Sequence, residues 1–169
     1  NEDELEAAQQ RLVEIIHRDG DINACGMIGV RRLFHALTSA DEAELAYNII
    51  TAKSRTGYGY WIENGATSMW ESFKSIDNPY TDSKNHHFLG DISSWFIQEL
   101  AGLKPNPNVE DIRYFEISPQ FVDELDYAKA NYKSQFGEVS VMWRKKGKSI
   151  ELDVTMPEGT YGKVTLPKG

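Results

Sequence analysis

Apolar residues in the first hundred positions recur at helical spacing. Leu5, Ala8, Leu12, Ile15 and Ile16 fall on one face, and Gly20 follows as a stop. Val30, Leu33, Phe34 and Leu37 form a second stripe. Ser39-Ala40-Asp41-Glu42 has the form of a capping box, which predicts a third helix with Leu45, Ala46, Ile49 and Ile50 turned inward. Ile92, Trp95, Phe96 and Leu100 predict a further helix ending near Gly102. Beyond about residue 110 the period becomes two. Val139, Val141 and Trp143 alternate with Glu138, Ser140 and Met142, Ile150, Leu152 and Val154 alternate with Glu151 and Asp153, and Val164 and Leu166 alternate with Lys163 and Thr165. Residues 112–117 and 125–132 predict two earlier strands. Lys146-Gly147-Lys148 predicts a hairpin turn and Pro157-Glu158-Gly159 another. The fold class expected is α+β in two parts, helices first and then a small antiparallel sheet or sandwich.

The two parts meet at Gly102-Leu103-Lys104-Pro105-Asn106-Pro107-Asn108, where prolines oppose both helix and sheet ladders. This places a helical domain at 1–104 and a β domain at 105–169. Charge divides at the same place. Residues 1–104 carry nine basic and sixteen acidic side chains, for −7, and residues 105–169 carry nine and ten, for −1.

Within 169 residues, 18 Lys and Arg stand against 26 Asp and Glu. A net charge of −8 excludes a general nucleic-acid binder, which needs a basic face. With 40% apolar and 11% aromatic residues the chain can build a core. One cysteine leaves no intrachain disulfide and no cysteine-based zinc site. Mean hydropathy is −0.51, and no apolar run approaches the ~20 residues of a membrane span. No signal peptide is recognised, and a chain that opens on Asn1 in an already helical pattern is expected to be cut from a longer protein. A free thiol fits the cytosol and leaves the periplasm open.

Candidate chemistry concentrates in residues 57–73, GYGYWIENGATSMWESF, which hold three glycines and a cluster of aromatics. Irregular backbone beside exposed aromatic rings suits a sugar, whose C–H faces pack on rings while its hydroxyls need fixed polar partners. A helix–helix loop with core aromatics has the same composition. Thr67 or Ser68 is placed to cap a helix carrying Glu71 in its first turn, where the helix dipole favours the ionised base. A lone Glu there is equally a solvated dipole partner. His86 and His87 are adjacent and cannot point the same way on a helix or strand, which argues against a metal pair, while one neutral His suits a sugar hydroxyl. Cys25 reads as a small buried thiol, and the basic run at 144–148 as a solvated turn.

Gly65-Ala66-Thr67-Ser68-Met69-Trp70-Glu71 resembles the Gly-Ala-Thr-Thr-x-Trp-Glu motif of bacterial α-L-rhamnosidases of glycoside hydrolase family 78. In register with it, Asn85-His86-His87-Phe88-Leu89-Gly90 resembles the family's Asn-His-His/Tyr-x-x-Gly segment, and Ile92-Ser93-Ser94-Trp95-Phe96 its following helix. Ala101-Gly102-Leu103, Ile117-Ser118-Pro119 and the segment from Gly137 to Pro167 also match, so the resemblance covers nearly the whole chain. The chain departs from the family at Ala24 to Val30 and at Arg55 to Tyr60, where Tyr58 stands in the place of a tryptophan.

The resemblance implies the last helices of an (α/α)6 barrel followed by a C-terminal β-sandwich. Twelve helices of about 11–12 residues each do not fit in residues 1–104. It implies a glycosidase that removes terminal α-L-rhamnose from a glycoside or polysaccharide by inversion, with Glu71 as general base, His86 on a rhamnose hydroxyl and Tyr58 lining the pocket. The family's acidic, Arg-containing motif with the general acid does not occur here, which implies that the isolated chain is inactive. No cofactor, metal, nucleic acid or membrane is implied. An incomplete barrel exposes apolar helix faces, with Leu12, Ile16, Leu33 and Leu37 as candidates, and predicts self-association. The alternative is a non-catalytic carbohydrate-binding or barrel-completing module.

Overall fold

A computed structural model describes residues 1–54, 56–73, 83–105 and 110–167. The chain divides into two compact units, Asn1–Ile92 and Ser93–Gly169.

The first unit is helical. Helix α1 spans Glu2–Arg18, α2 Met27–Ser39, α3 Ala43–Thr51 and α4 Tyr58–Glu63. A capping box the pattern does not single out starts α1. The Asn1 side chain accepts from Glu4 N–H and Glu4 reaches back to the cap. Only Ile16 of the α1 stripe is buried, whereas Leu5 is 59% exposed. The expected list of uncovered apolar positions is therefore corrected, since Ile16, Leu33 and Leu37 are buried within the unit. The exposed apolar side chains on its helices are Leu5, Met27, Ile28 and Ile62.

The capping box expected at Ser39 is absent. α2 runs through Ser39, whose hydroxyl donates to Ala36 O and accepts from Gln9 Nε2. A tight turn with Asp41 at φ 61° then leads into α3, which starts behind Glu42 without a side-chain cap. Val30, Leu33, Phe34 and Leu37 of α2 form a core with Leu45, Ala46, Ile49 and Ile50 of α3, as the spacing predicts. α4 begins so close to the end of α3 that Tyr60 N–H donates to Ala52 O at 3.0 Å. A Cβ on Gly59 would fall on the Thr51 carbonyl oxygen. Gly59→Ala is expected to lower stability by about 1–3 kcal/mol, as overpacking does. Urea unfolding of the two chains checks it, and an unchanged midpoint would refute the close approach.

Where the second unit begins along the chain, α5 (Ile92–Trp95) runs into a single π-helical turn, Phe96–Leu100, marked by Ala101 N–H donating to Phe96 O. Phe96, expected inward, is 40% exposed because the wider turn changes the register, while Trp95 and Leu100 stay buried.

The second unit is a sandwich of two three-stranded sheets. One is ordered β1 (Leu103–Pro105), β2 (Tyr114–Ile117), β6 (Tyr161–Val164). The other is ordered β3 (Tyr127–Ser134), β4 (Gly137–Lys146), β5 (Ser149–Thr155). Ala101, Leu103, Phe115 and Ile117 pack against Ala130, Val139 and Val141 between them. The hairpin turn at Gly147-Lys148 and the turn at 157–160 form as predicted.

Two features differ from the pattern. Leu103 to Pro105, expected as linker, is an edge strand, the place in a sheet where the missing proline N–H does no harm. The rest of the linker motif, residues 106–108, lies outside the described residues. β6 pairs parallel with β2. The whole second sheet intervenes between them in sequence, which is ample length for a parallel return. Gly102, at φ 82°, passes against Pro119, and Ser118 N–H donates to its carbonyl at 2.8 Å.

Candidate active site

The glycine-rich loop after α4 ends the helix with Gly65 at φ 77° and Ala66 N–H bonded back to Trp61 O. No helix follows. Residues 67–73 are non-helical, so the expected helix cap at Thr67 or Ser68, and a dipole acting on Glu71, are both absent. Ser68 Oγ instead donates to Lys84 O at 2.5 Å. His86 N–H donates to Met69 O, and Glu71 N–H to Ser83 O, each at 2.8 Å. Segments 68–71 and 83–86 therefore run side by side in opposite directions. This backbone pairing, and not helix periodicity, brings the two sequence motifs together.

Glu71 is half-buried. Its carboxylate oxygen Oε2 accepts from Ser83 N–H at 2.8 Å, which orients the group while leaving Oε1 for another partner. The carboxylate lines a cavity of about 720 Å³, within the ~300–1,000 Å³ usual for small-ligand sites. Polar groups there come from Asn23, Thr56, Glu71 and Ser72, and apolar ones from Ile22, Met27, Phe73 and Leu89. Glu71 is the one acidic residue among the described residues of this lining.

The aromatics are inside the unit and not exposed as the loop's composition suggested. Tyr58, Trp61 and Trp70 are 8%, 2% and 6% exposed. Trp61 stacks on Phe73 at 4.7 Å, and Tyr58 meets both rings edge-on at 5.0 and 5.1 Å. Of this cluster Phe73 reaches the cavity lining. Tyr58 is not in that lining. It stands behind Phe73 and Leu89, its hydroxyl donating to Leu89 O at 2.9 Å. Burial first, and then the Asp91 carboxylate, push its phenol well above the ordinary value, so the hydroxyl stays protonated. Tyr58→Phe is expected to cost about 1 kcal/mol of stability, one hydrogen bond's worth. Thermal unfolding of the variant checks this, and no loss at all would mean the bond is not formed in solution.

His86 Nδ1 accepts from Phe88 N–H at 3.3 Å, and its ring meets Phe88 edge-on at 4.2 Å. A neutral His86 therefore carries its proton on Nε2 and presents a donor there. The His86 and His87 rings lie parallel, 5.5 Å apart and 3° from coplanar. Residues 84–87 are neither helix nor strand, so the alternation of helix or strand side chains does not hold the two rings apart. Among the described residues no group of three or more His, Cys, Asp and Glu is placed to hold a metal ion. No helix among them is long and apolar enough to cross a membrane. Cys25, expected buried, is half-buried and borders the Glu71 cavity. His87 lines a second hollow with Met27, Arg31, Phe88 and Asp91. The sequence pattern did not single out Asn23, Thr56 and Ser72. None lies on an apolar stripe; Ser72 adjoins Glu71 in sequence, and the fold brings Asn23 and Thr56 into the same lining.

Paired helices whose connecting loops line a cavity with a carboxylate residue, followed along the chain by a two-sheet sandwich, fit the class of helical-hairpin glycosidase domains with a C-terminal β domain. The chain belongs to the bacterial α-L-rhamnosidases: residues 1–100 match the bacterial alpha-L-rhamnosidase 6 hairpin glycosidase domain, and residues 103–169 the bacterial alpha-L-rhamnosidase C-terminal domain. An alpha-L-rhamnosidase of Streptomyces avermitilis is 29% identical over 167 residues, covering 95% of this chain and 16% of its own length. One from Alteromonas sp. is 28% identical, covering 91% and 17%. The solved structure of the Dictyoglumus thermophilum alpha-L-rhamnosidase superposes with TM-score 0.83 at 31% identity, covering 92% of this chain and 17% of that one. The Streptomyces avermitilis enzyme, solved complexed with L-rhamnose, gives 0.85 at 29%, covering 94% and 16%. The chain thus spans about one sixth of the length of these relatives.

Proposed function

We propose that the protein containing this chain removes terminal α-L-rhamnose from a glycoside or polysaccharide by inversion, with Glu71 as general base. The observation that carries this is Glu71, the one acidic residue among the described residues of the cavity lining, with Oε2 held by the Ser83 N–H. An inverting glycosidase deprotonates a water on the face of the sugar opposite the leaving group, with a second carboxyl roughly 6.5–9.5 Å away as acid. Glu71 takes the proton from that water, and an acid from outside residues 1–169 protonates the leaving oxygen. His86, with Nε2–H as donor, holds a rhamnose hydroxyl. Tyr58 serves from behind, fixing Leu89 and Phe73 at the cavity wall. The helices up to Leu100 supply the last part of the barrel, and the segment from Leu103 onward supplies the C-terminal sandwich. The alternative, a binding or barrel-completing module, keeps the cavity and dispenses with the proton transfer.

Stereochemistry tests the mechanism. Proton NMR during hydrolysis of an aryl α-L-rhamnoside by the product of the complete reading frame is expected to show β-L-rhamnose first, with the α anomer appearing only by mutarotation. Initial release of the α anomer would overturn inversion and recast Glu71.

A further inference from the structure

Glu71 and His86 sit on segments that are neither helix nor strand, so no regular element fixes one relative to the other. A handful of bonds between the segments does so instead. His86 N–H donates to Met69 O, and Glu71 exchanges two bonds with Ser83, one through its own N–H and one through Oε2, all at 2.8 Å. Two side chains add to this main-chain frame. Ser68 Oγ donates to Lys84 O at 2.5 Å. The Lys84 ammonium in turn lies 5.1 Å from the centre of the Trp70 ring. Lys84 is thus tied twice to the stretch 68–70, and it stands in sequence between Ser83, which holds the Glu71 carboxylate, and His86. Ser83 Oγ stiffens the same stretch, accepting Asn85 N–H at 3.1 Å and donating to Asn85 O at 3.2 Å. Ser68 and Lys84 are both exposed. Water would take either group if their bond were absent, so the bond does not rescue a buried polar atom. What it holds is the register of one segment against the other.

Resting on the reading of Glu71 as general base, we infer that Ser68 is a positioning residue for the reaction: its hydroxyl, through Lys84 O, fixes the separation between the Glu71 carboxylate and the His86 ring. The base must meet the attacking water while His86 holds a hydroxyl of the same sugar. A slip of one segment along the other misplaces one of the two, and a misplacement of about 1 Å is enough to cost ~10²-fold in rate. One hydrogen bond shifts the balance between aligned and slipped arrangements by about three- to tenfold, and the rate follows the aligned fraction.

The test is a double-mutant cycle. The product of the complete reading frame is made native, as Ser68→Ala, as Ser68→Thr, as Glu71→Gln and as the double variant Ser68→Ala with Glu71→Gln. Each is assayed for kcat and KM on an aryl α-L-rhamnoside. Ser68→Ala is expected to lower kcat about three- to tenfold at an unchanged thermal midpoint. Ser68→Thr keeps the donor and is expected to recover most of that loss. Beside Glu71→Gln, the Ser68→Ala change is expected to remove less than about twofold more, because no base is left to position. A native rate in Ser68→Ala would overturn the inference. So would an equal loss in Ser68→Thr, or the same factor lost in both backgrounds, which marks a general weakening of the fold. Glu71→Gln at the native rate would overturn the reading of the base and this inference with it. A slow Glu71→Gln beside a native-rate Ser68→Ala overturns this inference alone.

Discussion

Glu71→Gln, in the protein made from its complete reading frame, is expected to lower the rate of aryl α-L-rhamnoside hydrolysis by a factor of about 10²–10⁴. That is the usual size of a general-base contribution, and the substitution isolates it. Gln has the shape of Glu and keeps an oxygen that accepts the Ser83 N–H, so the pairing of segments 68–71 and 83–86 survives. What is lost is the basic oxygen that takes a proton from water. The thermal midpoint should therefore hold while kcat falls. A panel of aryl glycosides measured on both proteins separates the outcomes. Activity confined to the α-L-rhamnoside and lost in the variant supports the proposal. Activity on a different glycoside keeps the base and discards the sugar. Unchanged activity in the variant removes Glu71 from the chemistry and favours a binding module.

Trp143→Ala is expected to destabilise the β unit by about 3–5 kcal/mol, the range for deleting a large buried aromatic. A loss of this size is a large share of the roughly 5–15 kcal/mol that holds an ordinary domain together. Trp143 has no exposed surface, meets the ring of Phe121 edge-on at 5.2 Å, and donates through Nε1 to Leu100 O at 2.7 Å. That bond ties the π-helical turn to β4. Removing the indole leaves both a void and a carbonyl without this donor. Trp143→Phe, which fills most of the void but loses the bond, should cost distinctly less. Amide exchange at Val139 and Val141 reads the change directly, and undiminished protection there in Trp143→Ala would disprove the role given to this residue.

The site was legible in sequence only in part. Glu71 and His86 stand out because the strings around them resemble a known family, yet the physical setting of Glu71 differs from the one its local sequence predicts. The sequence around Thr67 and Ser68 offers a helix cap, and local chemistry favours one there. The chain uses Ser68 to bond Lys84 O instead, because the segment pairs with one that is distant in sequence. Tyr58 was legible as important but not as core. Its ring is enclosed by Trp61 and Phe73 and its hydroxyl is consumed by Leu89 O, and both facts depend on partners along the chain that no period reveals.

Where burial is dictated by local repetition, the residue string was sufficient. The stripes at 30–37 and 45–50 predicted α2, α3 and the core between them. The alternation from Val139 to Trp143 predicted β4 and its buried face, and Lys146-Gly147-Lys148 its hairpin, because a hairpin is closed by its own turn. These features rest on period, side-chain size and glycine chemistry within a dozen neighbours. The parallel pairing of β6 with β2, the edge position of Pro105, the inward aromatics and the cavity beside Glu71 were decided elsewhere. Each depends on two segments far apart in sequence choosing one another. That choice reflects the summed burial and hydrogen bonding of the folded unit, which local propensity does not encode.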